Sequence, residues 1–130
     1  MPSDRKSRTR FLNVDLDLGA QGGLDALIAQ FGSSIIVLNN MPSEASLELG
    51  EDFGSLEETV VGWLDTIEAF PVEARGIWDR CEFRKLNIGI QAGTEPHAAV
   101  FALSRDTVSR LTAMKLELVV TVYAYDGARA

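Results

Sequence analysis

One cysteine, Cys81, and one histidine, His97, are all that the 130 residues offer a soft metal. A structural zinc site takes three or four such ligands and is excluded. A lone thiol cannot close an internal disulfide, and a small secreted domain usually carries an even set of cysteines, so the cytoplasm is the expected compartment. Apolar runs such as Ile35 to Leu38 fall far short of the length that spans a bilayer. Met1 to Arg10 holds no apolar core of signal-peptide length, and no membrane contact is expected. Positive charge is scarce beyond the start of the chain. Arg5, Lys6, Arg8 and Arg10 account for four of the 12 basic residues, leaving residues 11–130 with 8 basic and 18 acidic side chains. A body that acidic repels phosphate backbones, so nucleic acid is not an expected partner.

What is present reads as a single α+β domain over residues 11–124, with a disordered basic tail at 1–10 and a flexible tail at 125–130. Leu12, Val14, Leu16 and Leu18 alternate with Asn13, Asp15 and Asp17, the period-two pattern of a strand with one buried face. Leu24, Leu27, Ile28 and Phe31 follow helical spacing, with Gly32 placed to stop the helix. Ser34 to Leu38 is apolar on both faces and predicts an interior strand. Glu44 to Leu49, with Ala45, Leu47 and Leu49 inward, predicts an edge strand. Ser55 and Glu58 have the spacing of a capping box before the stripe Leu56, Val60, Trp63, Leu64 and Ile67. Gly62 inside that stripe points to close packing. Pro71 ends this helix and opens another to about Arg80, with Ile77 and Trp78 inward. Leu86, Ile88, Ile90 and Ala92 form a strand, and a turn at residues 93–96 leads into a further strand from His97 to Leu103. Ser104 caps a helix carrying Val108 and Leu111, and Leu116, Leu118, Val120 and Val122 alternate in the last strand.

The expected fold is a mostly antiparallel, mixed sheet of five to six strands with three to four helices mainly on one face. Its ends share a β-α-β layout related to the ferredoxin-like arrangement. Val119, Thr121 and Tyr123 are too apolar for a fully wet face and point to a homodimer or another partner.

The run from Phe101 through Ser104, Val108 and Leu111 to Leu116, Leu118, Val120, Val122 and Tyr123 resembles the bacterial family called domain of unknown function 4279. The Ser55-capped helix and the helix from Leu24 and Asp25 to Phe31 and Gly32 are similar to it as well, so the likeness spans roughly residues 11–124. The chain departs from that pattern after Gly32, where the family has a proline and a basic or tryptophan-containing stretch. The resemblance implies a small bacterial α+β domain, carries over no catalytic residues, and leads toward immunity-type proteins, acidic neutralisers of toxins.

Residues able to carry chemistry are few. Any catalytic triad would have to use His97, which reads more simply as a turn histidine after Pro96. Cys81 would need a cationic neighbour such as Arg80 or Arg84 to become reactive and reads as a buried thiol. Gly19 to Gly23 lacks both phosphate-loop signatures and is flanked by Asp15, Asp17 and Asp25. Asp15 and Asp17 project from one strand face roughly 7 Å apart, a spacing open to acid–base work or simply to solvated charges that discourage edge pairing. Glu44, Glu48, Glu51 and Asp52 cluster without calcium-loop spacing.

No catalytic, cofactor or metal set is therefore expected. The leading expectation is a protein-binding module for a basic partner, with Asp15, Asp17, Glu44, Glu48 and Tyr123 as the partner face. The alternatives are a small carboxylate-dependent enzyme using Asp15 and Asp17, and a homo-oligomeric structural protein.

Overall fold

The computed structural model describes residues 8–127. Most of the expected basic tail and the last three residues lie outside the described residues. Five strands, β1 (Arg10–Gly19), β2 (Ile35–Met41), β3 (Glu44–Leu49), β4 (Phe83–Gln91) and β5 (Glu117–Tyr123), form one mixed sheet in the order β2-β3-β1-β4-β5. Every pairing is antiparallel except β4–β5. Helices α1 (Leu24–Phe31), α2 (Leu56–Glu68), α3 (Val72–Arg80) and α4 (Arg105–Ala113) complete an α+β fold. Both ends are β-α-β units. In the first, β1 and β2 run parallel with β3 inserted between them; in the second, β4 and β5 are direct parallel neighbours, which requires the long crossover through α4.

The core lies on one face of the sheet. Val14, Leu16, Leu18, Ala45, Leu47, Leu86 and Ile88 meet Leu27, Phe31, Val60, Trp63, Leu64, Ile67 and Trp78 from the helices, all buried. Both tryptophans are fully enclosed, and each has a partner for its indole N–H: Trp63 Nε1 donates to the Val14 carbonyl at 3.0 Å and Trp78 Nε1 to the Met114 carbonyl at 2.9 Å. Edge-to-face contacts run from Trp63 to Phe31, on to Phe70 and then to Trp78, linking α1, α2 and α3.

The local signals act as the physics requires. Ser55 Oγ accepts the Glu58 backbone N–H at 3.2 Å and Ser104 Oγ that of Thr107 at 3.2 Å, so each helix start satisfies an otherwise orphaned donor. Gly32, at φ 61°, ends α1 in a backbone region that favours glycine. A Cβ on Gly62 would come within 2.9 Å of the Phe53 ring, which is the close packing expected there.

Four expectations are corrected. The stretch from His97 to Leu103 forms no strand: residues 92–104 are irregular, because the slot beside β4 is taken by β5 and the intervening chain must carry the crossover back to α4. The strand expected from Ser34 to Leu38 to be interior is β2, at the edge of the sheet, while Glu44–Leu49, expected at the edge, lies between β2 and β1. Apolar residues on both faces of β2 reflect an uncovered edge rather than burial. On α4, Leu111 is buried and Val108 is half exposed. At the N-terminus, β1 begins at Arg10 and Arg8 bridges Glu95, so residues 8–10 belong to the fold.

Candidate functional site: the open face of the sheet

Strand alternation sends every second residue of β1, β3 and β4 away from the helices. The register lines these residues up across the strands. One row runs Ile36, Glu48, Asp15, Asn87, Val119; the next runs Asn39, Ser46, Asp17, Lys85, Glu117. Among the described residues, no helix packs over this face. Its central residues are half-buried by their neighbours alone.

All five residues expected to form a partner face lie here. Asp15 and Glu48 are directly paired across β1 and β3, Asp17 follows on the same face, and Glu44 sits where β3 begins, paired with Gly19. Tyr123 is farther off, beside Gln91 on β5, and shares the face without joining the carboxylates.

Hydrogen bonds tie down several of these polar groups. Asn13 Nδ2 donates to Asp15 Oδ1 at 3.2 Å, Ser46 Oγ to Asp17 Oδ1 at 2.9 Å, and Thr121 Oγ1 to Asn87 Oδ1 at 2.9 Å. Charge is less well matched. Lys85 stands directly across from Asp17, yet its ammonium rests 4.9 Å from the centre of the Phe83 ring. Among the described residues, none of Asp15, Asp17, Glu44 or Glu48 forms an ion pair. Partial burial, reinforced by Glu48 and then Asp17, pushes the Asp15 carboxyl up from 3.8 to about 6. A carboxylate surrounded by others with no cation beside it holds its proton longer. That is the electrostatic signature of the face.

No protein-family model, curated protein or solved structure matches this chain. The site is therefore defined by its geometry alone.

The other candidates separate from it. Among the described residues, no group of His, Cys, Asp or Glu has an arrangement that could hold a metal ion. His97 is exposed in the irregular connection. Cys81 is buried at the end of α3, and desolvation raises its thiol pKa against the opposing pull of Arg84 and Arg80, which keeps the thiol protonated. Arg84 is itself engaged with the carbonyls of Trp78, Cys81 and Lys115. At Gly19 the space a side chain would need is filled by the Phe83 ring, so the glycine loop accommodates an aromatic ring. Glu51 and Asp52 line a groove of about 260 Å³ at the end of the sheet together with Glu48, Phe11 and Phe53. Asp52 Oδ1 there accepts the Gly54 N–H at 3.1 Å.

One polar centre escaped sequence reasoning. Glu57 on α2 accepts the Ser104 N–H at 3.0 Å, the Ser104 hydroxyl at 2.9 Å and the Thr107 hydroxyl at 2.9 Å. These bonds, the backbone one foremost, hold its carboxyl below the usual range. Arg110 reaches back from α4 to Glu68 at 2.8 Å and Asp65 at 2.7 Å. Together they clamp α4 to α2. The partners are more than 40 positions apart in the chain, so no local pattern announces them.

Proposed function

We propose that the chain is a protein-binding module that docks a basic partner on the open face of its sheet, in the manner of an immunity-type neutraliser. The observation that carries this reading is the row of carboxylates, Asp15, Asp17, Glu44 and Glu48, on an uncovered face with no ion pair among the described residues. A cationic partner would supply the missing counter-charge, speed encounter through long-range attraction, and make the complex sensitive to salt. The likeness to domain of unknown function 4279 runs in the same direction. A bacterial cytoplasm is the setting that goes with this reading, consistent with one buried thiol and no disulfide. No helix among the described residues is long and apolar enough to cross a membrane.

The test is affinity capture with the wild-type chain and with an Asp15→Lys/Glu48→Lys variant as matched baits. A basic polypeptide retained by the wild type at low salt, released as salt rises and not retained by the variant is the expected result. Equal retention by both baits, or no basic polypeptide at low salt, overturns the proposal.

A second reading draws on the Asp15 carboxyl alone. An acid that titrates near pH 6 is suited to general acid–base work, with Asp17 as its neighbour on the strand. The depression beside Asp17, Phe83 and Lys85 is small, about 190 Å³. An activity abolished by Asp15→Asn would favour this reading; a screen indifferent to that substitution removes it.

A further inference from the structure

Natural sheets blunt their edges with charge, proline, bulges or a covering element, because an exposed row of backbone donors and acceptors recruits another strand. The two edges here are treated differently. Edge strand β2 is interrupted by a register shift between Val37 and Asn39 and continues into Asn39 and Asn40. Edge strand β5 is not interrupted: its pairing with β4 runs from Glu117 to Tyr123 without a shift, and Glu117 is its one charged residue. On the helix side, Leu118, Val120 and Val122 lie level with Leu86, Ile88 and Ile90, yet Val120 and Val122 are 57% and 59% exposed while Leu86 is fully buried. The helix layer stops short of β5, because α4 is held against α2 by the Glu57 and Arg110 contacts.

We infer that β5 pairs antiparallel with β5 of a second copy about a two-fold axis through Val120, joining the two sheets into one. The inference rests on a strand that is complementary to itself. The Tyr123 carbonyl accepts the Ala92 N–H at 2.9 Å, so the backbone groups of Tyr123, Thr121 and Val119 face β4. By alternation those of Leu118, Val120 and Val122 face outward. These three positions are symmetric about Val120, so that axis lets each exchange its backbone hydrogen bonds with a counterpart. The same axis sets Leu118 against the partner subunit's Val122, Val119 against the partner subunit's Thr121, and Glu117 against the partner subunit's Tyr123. No like charges meet, which removes the main local objection to pairing two acidic chains. The apolar stripe left bare by α4 becomes the seam between two helix layers.

The oligomeric state tests this. Sedimentation velocity at micromolar concentrations is expected to give twice the 14.2 kDa chain mass for the wild type and the single-chain mass for Val120→Lys, with circular dichroism unchanged. Met41→Lys, on the opposite edge, is expected to stay dimeric. Should Val120→Lys fail to fold, Val120→Cys decides: under oxidation it is expected to form a covalent dimer through its own symmetry mate, and Val37→Cys is expected not to. A monomeric wild type, a dimer that survives Val120→Lys, or a Val120→Cys chain that never cross-links overturns the inference.

Discussion

Leu16 and Asp15 are neighbours in the chain and belong to the same strand, but they live in different solvents. Leu16 is wholly enclosed between β1 and the helices, level with Leu47 and Leu86 on the flanking strands. Asp15, one residue back, looks out from the other face, level with Glu48 and Asn87. The covered face is apolar, and the two indole N–H donors buried in it have backbone partners. The open face is polar, half-wet and poorly balanced in charge. One side of the sheet holds the fold together and the other is left polar. The strands need only alternate correctly to serve both.

The sharpest way to break the covered side is Trp63→Ala. It removes the largest buried side chain of α2, its bond to the Val14 carbonyl and its edge contact with Phe31. A loss of about 3–5 kcal/mol in denaturant-derived stability is expected. Leu16→Ala, in a fully buried site at the centre of the same face, is expected to cost about 2–5 kcal/mol by the same measurement. A Leu16→Ala cost no larger than that of a surface change would mean the covered face is not the core.

At the rim of that core the effect shrinks. Ser104→Ala deletes the hydroxyl that accepts the Thr107 N–H and donates to Glu57. Loss of a helix cap costs about 1 kcal/mol. Hydrogen exchange should localise the change to α4, and Glu57→Gln should loosen the same helix, because the clamp joins α2 to α4 through that carboxylate.

The covered face was legible in the sequence, and the edges were not. Alternation along β1, helical spacing in α1 and α2, the serines that cap α2 and α4, and the glycine stop at Gly32 are each local signals, and each acts where it stands. Strand order is not a local property. Ile35 to Leu38 and Ala98 to Leu103 carry apolar runs that look like buried strands, but one lies on the sheet edge and the other is crossover. Composition could not show that β5 would take the place beside β4. For the candidate face, alternation sufficed to put Asp15 and Asp17 on one side of a strand. That Glu48 would stand beside Asp15 to add to the effect of burial, with the Lys85 ammonium turned to the Phe83 ring, depends on the register of three strands.

The gentlest test bears on the open face and runs against the usual direction of mutation. Asp15→Asn keeps an acceptor for the Asn13 amide and removes a charge that burial and Glu48 both disfavour. In the unfolded chain Asp15 loses its proton near 3.8, in the folded chain near 6. Below the first value both states are protonated and the carboxyl adds no penalty. Between the two the folded state binds more protons, so its stability falls as pH rises, and above about pH 6 the penalty is complete. A shift of that size in a sealed site would be worth about 3 kcal/mol; half-open to water, Asp15 should contribute nearer 1 kcal/mol. Asp15→Asn is accordingly expected to be more stable than the wild type at neutral pH, with the advantage fading between about pH 6 and pH 4. Paired urea titrations at pH 7.5 and pH 4 would measure it. An Asn variant with no advantage at neutral pH would mean that water already neutralises the crowding of Asp15, Glu48 and Asp17, and the electrostatic case for a cationic partner on this face would lose its ground.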